Sequence, residues 1–598
     1  MEAHAKVTGP MNGRFTFLQR PDGTIDKNKV ICIICKKEFA YHRSSSSLAY
    51  HVNAKHPDAS AAAAQISVEH VSHSKAVRQI KLEEEDAPCM SLPATHRLTD
   101  VLAKWIAMDC RPMNIVEDEG LTEVLQSASN DPSYRSPCGA TVTNAIIDMY
   151  DVERKNKLDV LLKDSPNFIA ITGDHWTSAG DDHSYLGVTA HFIDAEWNLN
   201  SFALTVVRTE TGHFADKCAE QFLGAAHDWG IADRISTIGT DSAASPLAAM
   251  RALPYEHIAC NAHILQRTIT ACLDSGGFAG VLAKCREIAG HFQQSPASTA
   301  ELSWKQVDLG QMREPLVQDV STRWMSTLAM VSRLLRNREA FQATLDRQDH
   351  HRLVTPTEAE WGKLQRLEVL LEPCRFVTEL LGGEAYVSCS VVLPAFRHLN
   401  RVMDVTDEDP AYVVNFKNAF QRDLAAGQAV ANEAWFKVAT ALDPRFKHLK
   451  CLPRDQREQV WTSLENMLQA AVPRRDTFQP ISEDDEPDQK KQRRSALLLG
   501  SDSDSEEEGM ESGELQRYRA EPSISLDDCP LRWWHAHSGA YEKLSALACK
   551  YLATPATSAP CDSLFSLAGH IVQKKREALL PEDVTKLVCL SDWLKKKT

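Results

Sequence analysis

The sequence predicts a multidomain α/β protein: a small ββα unit first, then a mixed sheet, with helical segments before and after it. Three observations lead there. A length of 598 residues exceeds what one hydrophobic core organises. Strand-like apolar runs fall between residues 167 and 241, with one helical run inserted before the last of them. Ahead of these, two cysteines and two histidines gather in one short N-terminal stretch.

In the central stretch, Phe168-Ile169-Ala170-Ile171-Thr172 reads as a strand that ends on Asp174 and Trp176. The runs Tyr185–Ile193 and Ser201–Val207 follow after short polar connectors, as in an antiparallel meander. A helix is predicted from about Asp216 to Trp229, with Cys218, Phe222, Ala225 and Ala226 on one face and Gly230 closing it. Ile235–Thr240 is a last strand, ending on Asp241. Acids at the ends of the first and last strands can meet in a mixed sheet and hold a divalent cation. Each acid alone is equally an ordinary turn former or helix cap.

The N-terminal cluster reads Cys32-x2-Cys35-x15-His51-x4-His56. This is the spacing of a tetrahedral structural zinc site: a turn presents two thiolates, and the histidines reach the metal from the end of one helix. Phe15 and Phe17 are placed to pack beneath so small a core. Arg14, Lys27, Lys29, Lys36, Lys37, Arg43 and Lys55 make the unit locally basic, although the whole chain carries a formal charge of -15. That contrast excludes a general basic coat and predicts local contacts of Arg14, Lys36, Lys37, Arg43 and Lys55 with double-stranded DNA.

Composition is ordinary for a soluble protein, at 43% hydrophobic and 25% charged. No signal peptide and no membrane-length apolar run is read. The 16 cysteines are otherwise scattered and are expected to be buried thiols. Seven segments are predicted: 10–58 the zinc finger, 59–94 a linker, 95–165 a helical segment, 166–330 the first part of the core, 331–478 a helical insertion, 479–528 a disordered acidic insert, and 529–598 a helical tail. In the helical segment, Leu98, Val101, Leu102, Trp105 and Ile106 form one stripe. His257, Cys260 and His263 could make a second zinc site, but a buried cysteine beside a hydrogen-bonded histidine is the better reading without a fourth ligand. In the acidic insert, Lys490-Lys491-Gln492-Arg493-Arg494 has the character of a nuclear import signal, and Ser501, Ser503 and Ser505 sit among acids as substrates for an acid-directed kinase.

Several of these stretches resemble one family. Thr172-Gly173-Asp174-His175-Trp176-Thr177-Ser178, Gly239-Thr240-Asp241-Ser242-Ala243-Ala244, Cys260-Asn261-Ala262-His263 and Thr322-Arg323-Trp324 resemble the ribonuclease-H-like core of hAT-superfamily transposases. Ser47-Leu48-Ala49-Tyr50-His51, with the metal spacing, resembles a BED finger whose usual flanking tryptophan is replaced by phenylalanine. The block from Leu531 through Cys561-Asp562-Ser563 to Leu594 resembles the hAT C-terminal dimerisation region. The resemblance implies a ribonuclease-H-like mixed sheet interrupted by a helical insertion, and a homodimer whose contacts include Trp533, Trp534, Phe565, Leu587 and Trp593. It also implies a third acid at Asp562, where active members carry Ser-Glu-Arg; here that triplet is Cys561-Asp562-Ser563. Met325 departs as well from an asparagine usual after the Arg-Trp pair.

Two functions of different class compete. One is a nuclear, zinc-dependent, homodimeric DNA-binding regulator of transcription, with no catalytic residues and only vestigial Asp174, Asp241 and Asp562. The other is a working transposase that uses these three acids with Mg2+. A scaffold for other proteins is a third reading.

Overall fold

In this computed structural model the described residues are 15–19, 25–40, 48, 51, 92–164, 168–177, 184–209, 214–241, 250, 253–347, 353–470, 513–571 and 581–596. Arg14, Arg43, Lys55, His56, the basic cluster at 490–494, Ser501, Ser503 and Ser505 lie outside them. The chain divides into two compact units, Met1–Asp86 and Ala87–Thr598.

The first unit is built on β1 (Phe15–Gln19), β2 (Ile25–Cys32) and β3 (Glu38–Ala40), antiparallel in that order. Three strands replace the two that a ββα unit implies. Phe15 pairs with Cys32, and a register shift follows Phe17. Phe15, Val30, Cys32 and Leu48 are fully buried, with Phe17 and Phe39 packed against them. So few apolar side chains make a marginal core, which is why a metal closure matters here.

The second unit is mostly helical around one mixed sheet. Helices α1 (Leu92–Asp109), α2 (Glu119–Ser129) and α3 (Gly139–Asp159) precede the sheet. On α1 the predicted stripe is only partly inward, since Val101 is 60% exposed while Leu102 and Ile106 are buried. The sheet comprises β4 (Ile169–Thr177), β5 (Ser184–Ile193), β6 (Leu199–Thr209), β7 (Ile235–Thr240) and β8 (Glu256–Ala259), in the order β6-β5-β4-β7-β8. The meander β4-β5-β6 is antiparallel, while β7 and β8 run parallel to β4. Helix α4 (Phe214–Asp228) supplies the crossover.

A helical body follows: α5 (Asn261–Ser275), α6 (Ala279–Gln294), α7 (Pro296–Asp308), α8 (Trp324–Arg336), α9 (Arg338–Arg347), α10 (Glu358–Leu381), α11 (Val392–Val402), α12 (Ala411–Val430), α13 (Glu433–Leu442) and α14 (Arg454–Ala470). The tail adds α15 (Glu514–Ala520), α16 (Pro530–His537), α17 (Glu542–Leu552), α18 (Ala559–Ile571) and α19 (Pro581–Lys595). The described tail therefore begins at Gly513, and its helix α15 lies inside the stretch 479–528 predicted to be disordered. The reason is non-local: Leu515 and Tyr518 are buried, the Tyr518 hydroxyl donates to Ala441 O at 3.1 Å, and Lys447 Nζ donates to Tyr518 O at 2.6 Å.

The last two helices belong to the sheet. Leu564, Ala568, Leu587, Val588, Leu590 and Trp593 share one core with Ile171, Leu186, Val188 and Val206. β6 is the edge strand of the sheet, so its outward backbone groups have no strand partner. Helix α19 satisfies them: Asp592 Oδ2 accepts from Ala203 N–H at 2.7 Å, and Trp593 Nε1 donates to Ala203 O at 2.8 Å. Trp229 Nε1 donates to the next carbonyl, Leu204 O, at 3.1 Å.

The side chains expected at a dimer contact are packed within the chain itself. Trp534 and Trp593 are fully buried, Leu587 is 1% and Phe565 7% exposed, and Trp533 is partly buried within the same chain. Trp534 Nε1 is spent on Leu442 O at 2.9 Å. These side chains form intramolecular core, because the apolar surplus of the tail covers the sheet and the helical body.

Candidate functional sites

In the finger, Cys32 ends β2 and the turn to β3 brings Cys35 back. Lys36 N–H donates to Cys32 O at 2.9 Å and Cys32 N–H to Lys37 O at 3.0 Å, closing a tight knuckle in which Lys36 takes φ 59°. Cys35 Sγ lies 3.2 Å from His51 Nε2. The ligand atoms of Cys32, Cys35 and His51 all fall within 4.8 Å of one another. Bonds of about 2.3 Å to sulfur and about 2.0–2.1 Å to nitrogen put tetrahedral neighbours roughly 3.5 Å apart, so the three residues fit a zinc ion. Bound zinc would cross-link the knuckle to the His51 segment. Phe39 packs on the His51 ring at 4.6 Å between centroids, and Phe15 lies at 6.2 Å, which orients the imidazole. Lys36 and Lys37 are exposed on the knuckle, and Lys29 pairs with Glu38 at 2.7 Å.

The second site is at the sheet. Thr172 pairs with Gly239 in the parallel β4–β7 register, so Asp174, still inside β4, and Asp241, just past the end of β7, lie at the same level, two residues beyond each. The resemblance places Asp562 third, and α18 carries it to a cleft of about 680 Å³ lined by Asp174, His263, Arg323, Trp324, Asp562 and Phe565 among others. Asp174 Oδ1 accepts from His175 N–H at 2.8 Å and Oδ2 from Ser558 Oγ at 3.2 Å. His263 Nε2 lies 3.8 Å from Asp174 Oδ2.

Burial pushes the Asp174 carboxyl up to about 6; His263 opposes this, while Asp562 and Asp241 add to it. Asp562 is raised too, by desolvation, against the pull of His263 and Arg323. Burial works against a charged His263, but its hydrogen bond to Cys260 and the charges of Cys260, Asp174 and Asp241 drive it up to about 10. Among the described residues, the three aspartates do not close into a set with ligand atoms within 4.8 Å, as the finger residues do.

His257, Cys260 and His263 do not converge on a second zinc site. His257 Nε2 bonds Thr240 Oγ1 at 2.9 Å, and burial depresses it to about 4. Cys260 Sγ accepts from Ser558 N–H at 3.2 Å. Two features were not read from the sequence. Ser558 ties the tail to both Asp174 and Cys260. Beneath α18, Thr172, Thr189 and His191 interlock at 2.5–2.9 Å, with Cys561 Sγ 3.6 Å from Thr172 Oγ1. No local pattern marks them; only the Cys561-Asp562-Ser563 neighbourhood hinted that this helix returns to the sheet. Arg286 pairs with Asp319 at 2.8 Å and holds the loop that carries Arg323.

Comparison with known proteins matches four segments. Residues 15–57 match the BED zinc finger, 172–267 the ZBED1 RNase-like domain, 258–370 the ZBED1 RNase-like helical domain, and 514–594 the hAT family C-terminal dimerisation region. The chain thus carries segments similar to a BED zinc finger, the two ZBED1 RNase-like parts and a hAT dimerisation region, in that order. Among similar proteins, a Zea mays protein named as an AC transposase is 26% identical over 538 residues, which is 82% of this chain and 64% of the relative. Zinc finger BED domain-containing protein 4 of Homo sapiens is 22% identical, over 84% of this chain and 44% of its own length. The protein DAYSLEEPER of Arabidopsis thaliana, also named for its BED domain, is 22% identical, over 82% and 73%. The chain thus spans less than two thirds of the first two. Among its described residues, no helix is long and apolar enough to cross a membrane.

Proposed function

We propose that this chain is a nuclear, homodimeric DNA-binding protein that regulates transcription, with a zinc-dependent finger on a transposase-derived body that no longer transfers DNA. The observation that carries the reading is the contrast between its two sites. The finger ligands converge as a metal requires, whereas the acids of the cleft stand apart around His263. Two-metal phosphoryl transfer needs carboxylates that clamp the attacking and leaving oxygens together. Aspartate at 562 in place of glutamate shortens that reach by about 1.5 Å, one C–C bond. Magnesium tolerates little such slack in its octahedron. Ser563 also removes the guanidinium that the family places beside the acid. Exposed Lys36 and Lys37 support phosphate contacts by the finger, and phosphorylation at Ser501, Ser503 and Ser505 would add charge to an already acidic stretch.

The transposase reading is favoured by one feature, the level placement of Asp174 and Asp241 on paired strands. The test is to select DNA sites with the purified chain, then incubate those duplexes with it in magnesium or manganese. Binding without cleavage is expected. Strand cleavage that is abolished by Asp174→Asn and by Asp562→Asn would establish the transposase instead.

A further inference from the structure

We propose that Ile33 and Ile34, at the tip of the finger's knuckle, pack against thymine methyl groups in the major groove of DNA and so set part of the finger's base preference. The inference rests on the DNA-binding reading above and deepens it, from phosphate contact to base contact.

Three positions on the knuckle take residues that work against the stability of the finger. Tight turns are built mainly from Gly, Pro, Asn, Asp and Ser, which reach the required dihedrals or bond their own backbone. Here the two residues between the cysteines are both β-branched and apolar, and Ile33 is 43% and Ile34 47% exposed. Being consecutive, they stand together on the tip, about 3.8 Å apart at Cα. Lys36 then takes φ 59°, in the left-handed region that glycine enters freely and other residues enter at a cost. A knuckle that served the metal alone would be more stable with Asn or Asp at the tip and Gly at 36. Local rules broken together at one exposed spot mark a site of function.

The tip is also held in place. The Lys36 N–H bond to Cys32 O and the Cys32 N–H bond to Lys37 O close the turn, and Cys32 is anchored in the finger's core with Phe15 and Val30. Little ordering remains to oppose binding.

Charge and shape choose the occupant. Lys36 and Lys37 are exposed within three residues of Ile34 and form no ion pair among the described residues, in a chain of formal charge -15. An apolar pair beside two free ammonium groups suits a partner in which anionic rails flank apolar groups. Duplex DNA has that pattern in its major groove, where thymine presents its 5-methyl group between the two phosphate backbones. The knuckle is the turn of the antiparallel β2–β3 pair. A two-stranded ribbon enters the major groove, about 12 Å wide, but not the minor groove, about 6 Å wide.

The experiment selects duplex sites from random DNA with the full zinc-loaded chain. Affinity is then measured for a selected duplex and for a copy with uracil in place of every thymine, which removes only the methyl groups. The parent should bind the uracil copy about fourfold more weakly for each methyl it buries. Ile33→Ser with Ile34→Asn should keep its zinc, bind the thymine duplex at least about fourfold more weakly than the parent, and lose at least about fourfold of the preference for thymine over uracil. If the double variant loses zinc, the two single variants carry the same comparison. Lys36→Gly should weaken binding equally on both duplexes and lower the salt slope by about one, as loss of a phosphate contact does. A thymine preference undiminished in the isoleucine variant places the methyl contact elsewhere and overturns the proposal while the DNA-binding reading stands. Unchanged DNA affinity in that variant makes the tip a surface for another partner and equally refutes it. A parent chain that selects no DNA overturns the DNA-binding reading and the proposal with it.

Discussion

Cys35 and His51 approach to 3.2 Å on a core of a few aromatic and aliphatic residues, so on the proposed reading metal binding and folding of the finger would be one event. Cys35→Ala or His51→Ala should therefore release zinc and unfold the finger, since such sites contribute about 10–16 kcal/mol. DNA binding should vanish while the separate body stays folded; unaltered zinc content and DNA affinity in either variant would refute the finger's role. In the body the telling residue is His191, 4% exposed, bonded to Thr172 and Thr189, and depressed by burial to about 3. Its unfolded value is near 6.5, so the unfolded chain takes up a proton first as pH falls. The stability it contributes is complete above about pH 6.5 and is lost toward pH 3, at about 1.4 kcal/mol per pH unit. His175 and His257, depressed by burial to about 4, act in the same direction. Asp174, raised to about 6, acts oppositely between pH 6 and its ordinary range, because its folded form binds the proton first. Melting temperatures of the body should fall between pH 6.5 and 5, and His191→Gln should flatten that fall. A slope identical in the variant would mean that His191 is not the group titrating. The cluster of Cys32, Cys35 and His51 was legible because metal geometry imposes such spacing on a sequence, while His56 lies outside the described residues. The histidine network was not, because its partners meet only across strands.

At the scale of elements, β4 and α4 pack so closely that Gly173 has no room for a side chain. A Cβ there would come within 2.6 Å of Phe222 Cε1, on a ring that is itself 1% exposed. Gly173→Ala should destabilise the body by about 1–3 kcal/mol, the range for overpacking a filled core, as chemical denaturation would show. A neutral result would mean that Phe222 can turn aside. Strands β4 to β7 were legible as apolar runs between polar connectors. β8 was not, since Glu256–Ala259 has only four residues and pairs through β7 rather than by any pattern of its own. Helix α15 was hidden for a related reason: a seven-residue segment with Leu515 and Tyr518 reads as part of an acidic stretch until Lys447 and Ala441 are seen to hold it. The tail's tryptophans posed a different problem. Hydrophobicity reports that Trp534 and Trp593 must be covered, and says nothing of whether the cover is the same chain or another.

For the whole molecule, the consequence is that the tail cannot be removed as an accessory. A chain ending at Pro530 would strip α18 and α19 from the sheet and leave Ile171, Leu186, Val188 and Val206 without their cover. Such a truncation should fail to give a protease-resistant body, whereas its finger, a unit of its own, should still take up zinc. A folded body from that fragment would show that the helices merely rest on the sheet.

The same interleaving reaches back to the ribosome. About 300 residues separate the end of β8 from the start of α18. At roughly 5–20 residues per second, the newly made strands wait on the order of 15–60 s for the helices that cover them. During that interval the nascent chain offers an uncovered apolar sheet to whatever is nearby. Its yield in cells should therefore depend on holding chaperones and on translation speed through the helical body, and a premature stop codon even late in the message should produce an aggregating polypeptide rather than a shortened working one.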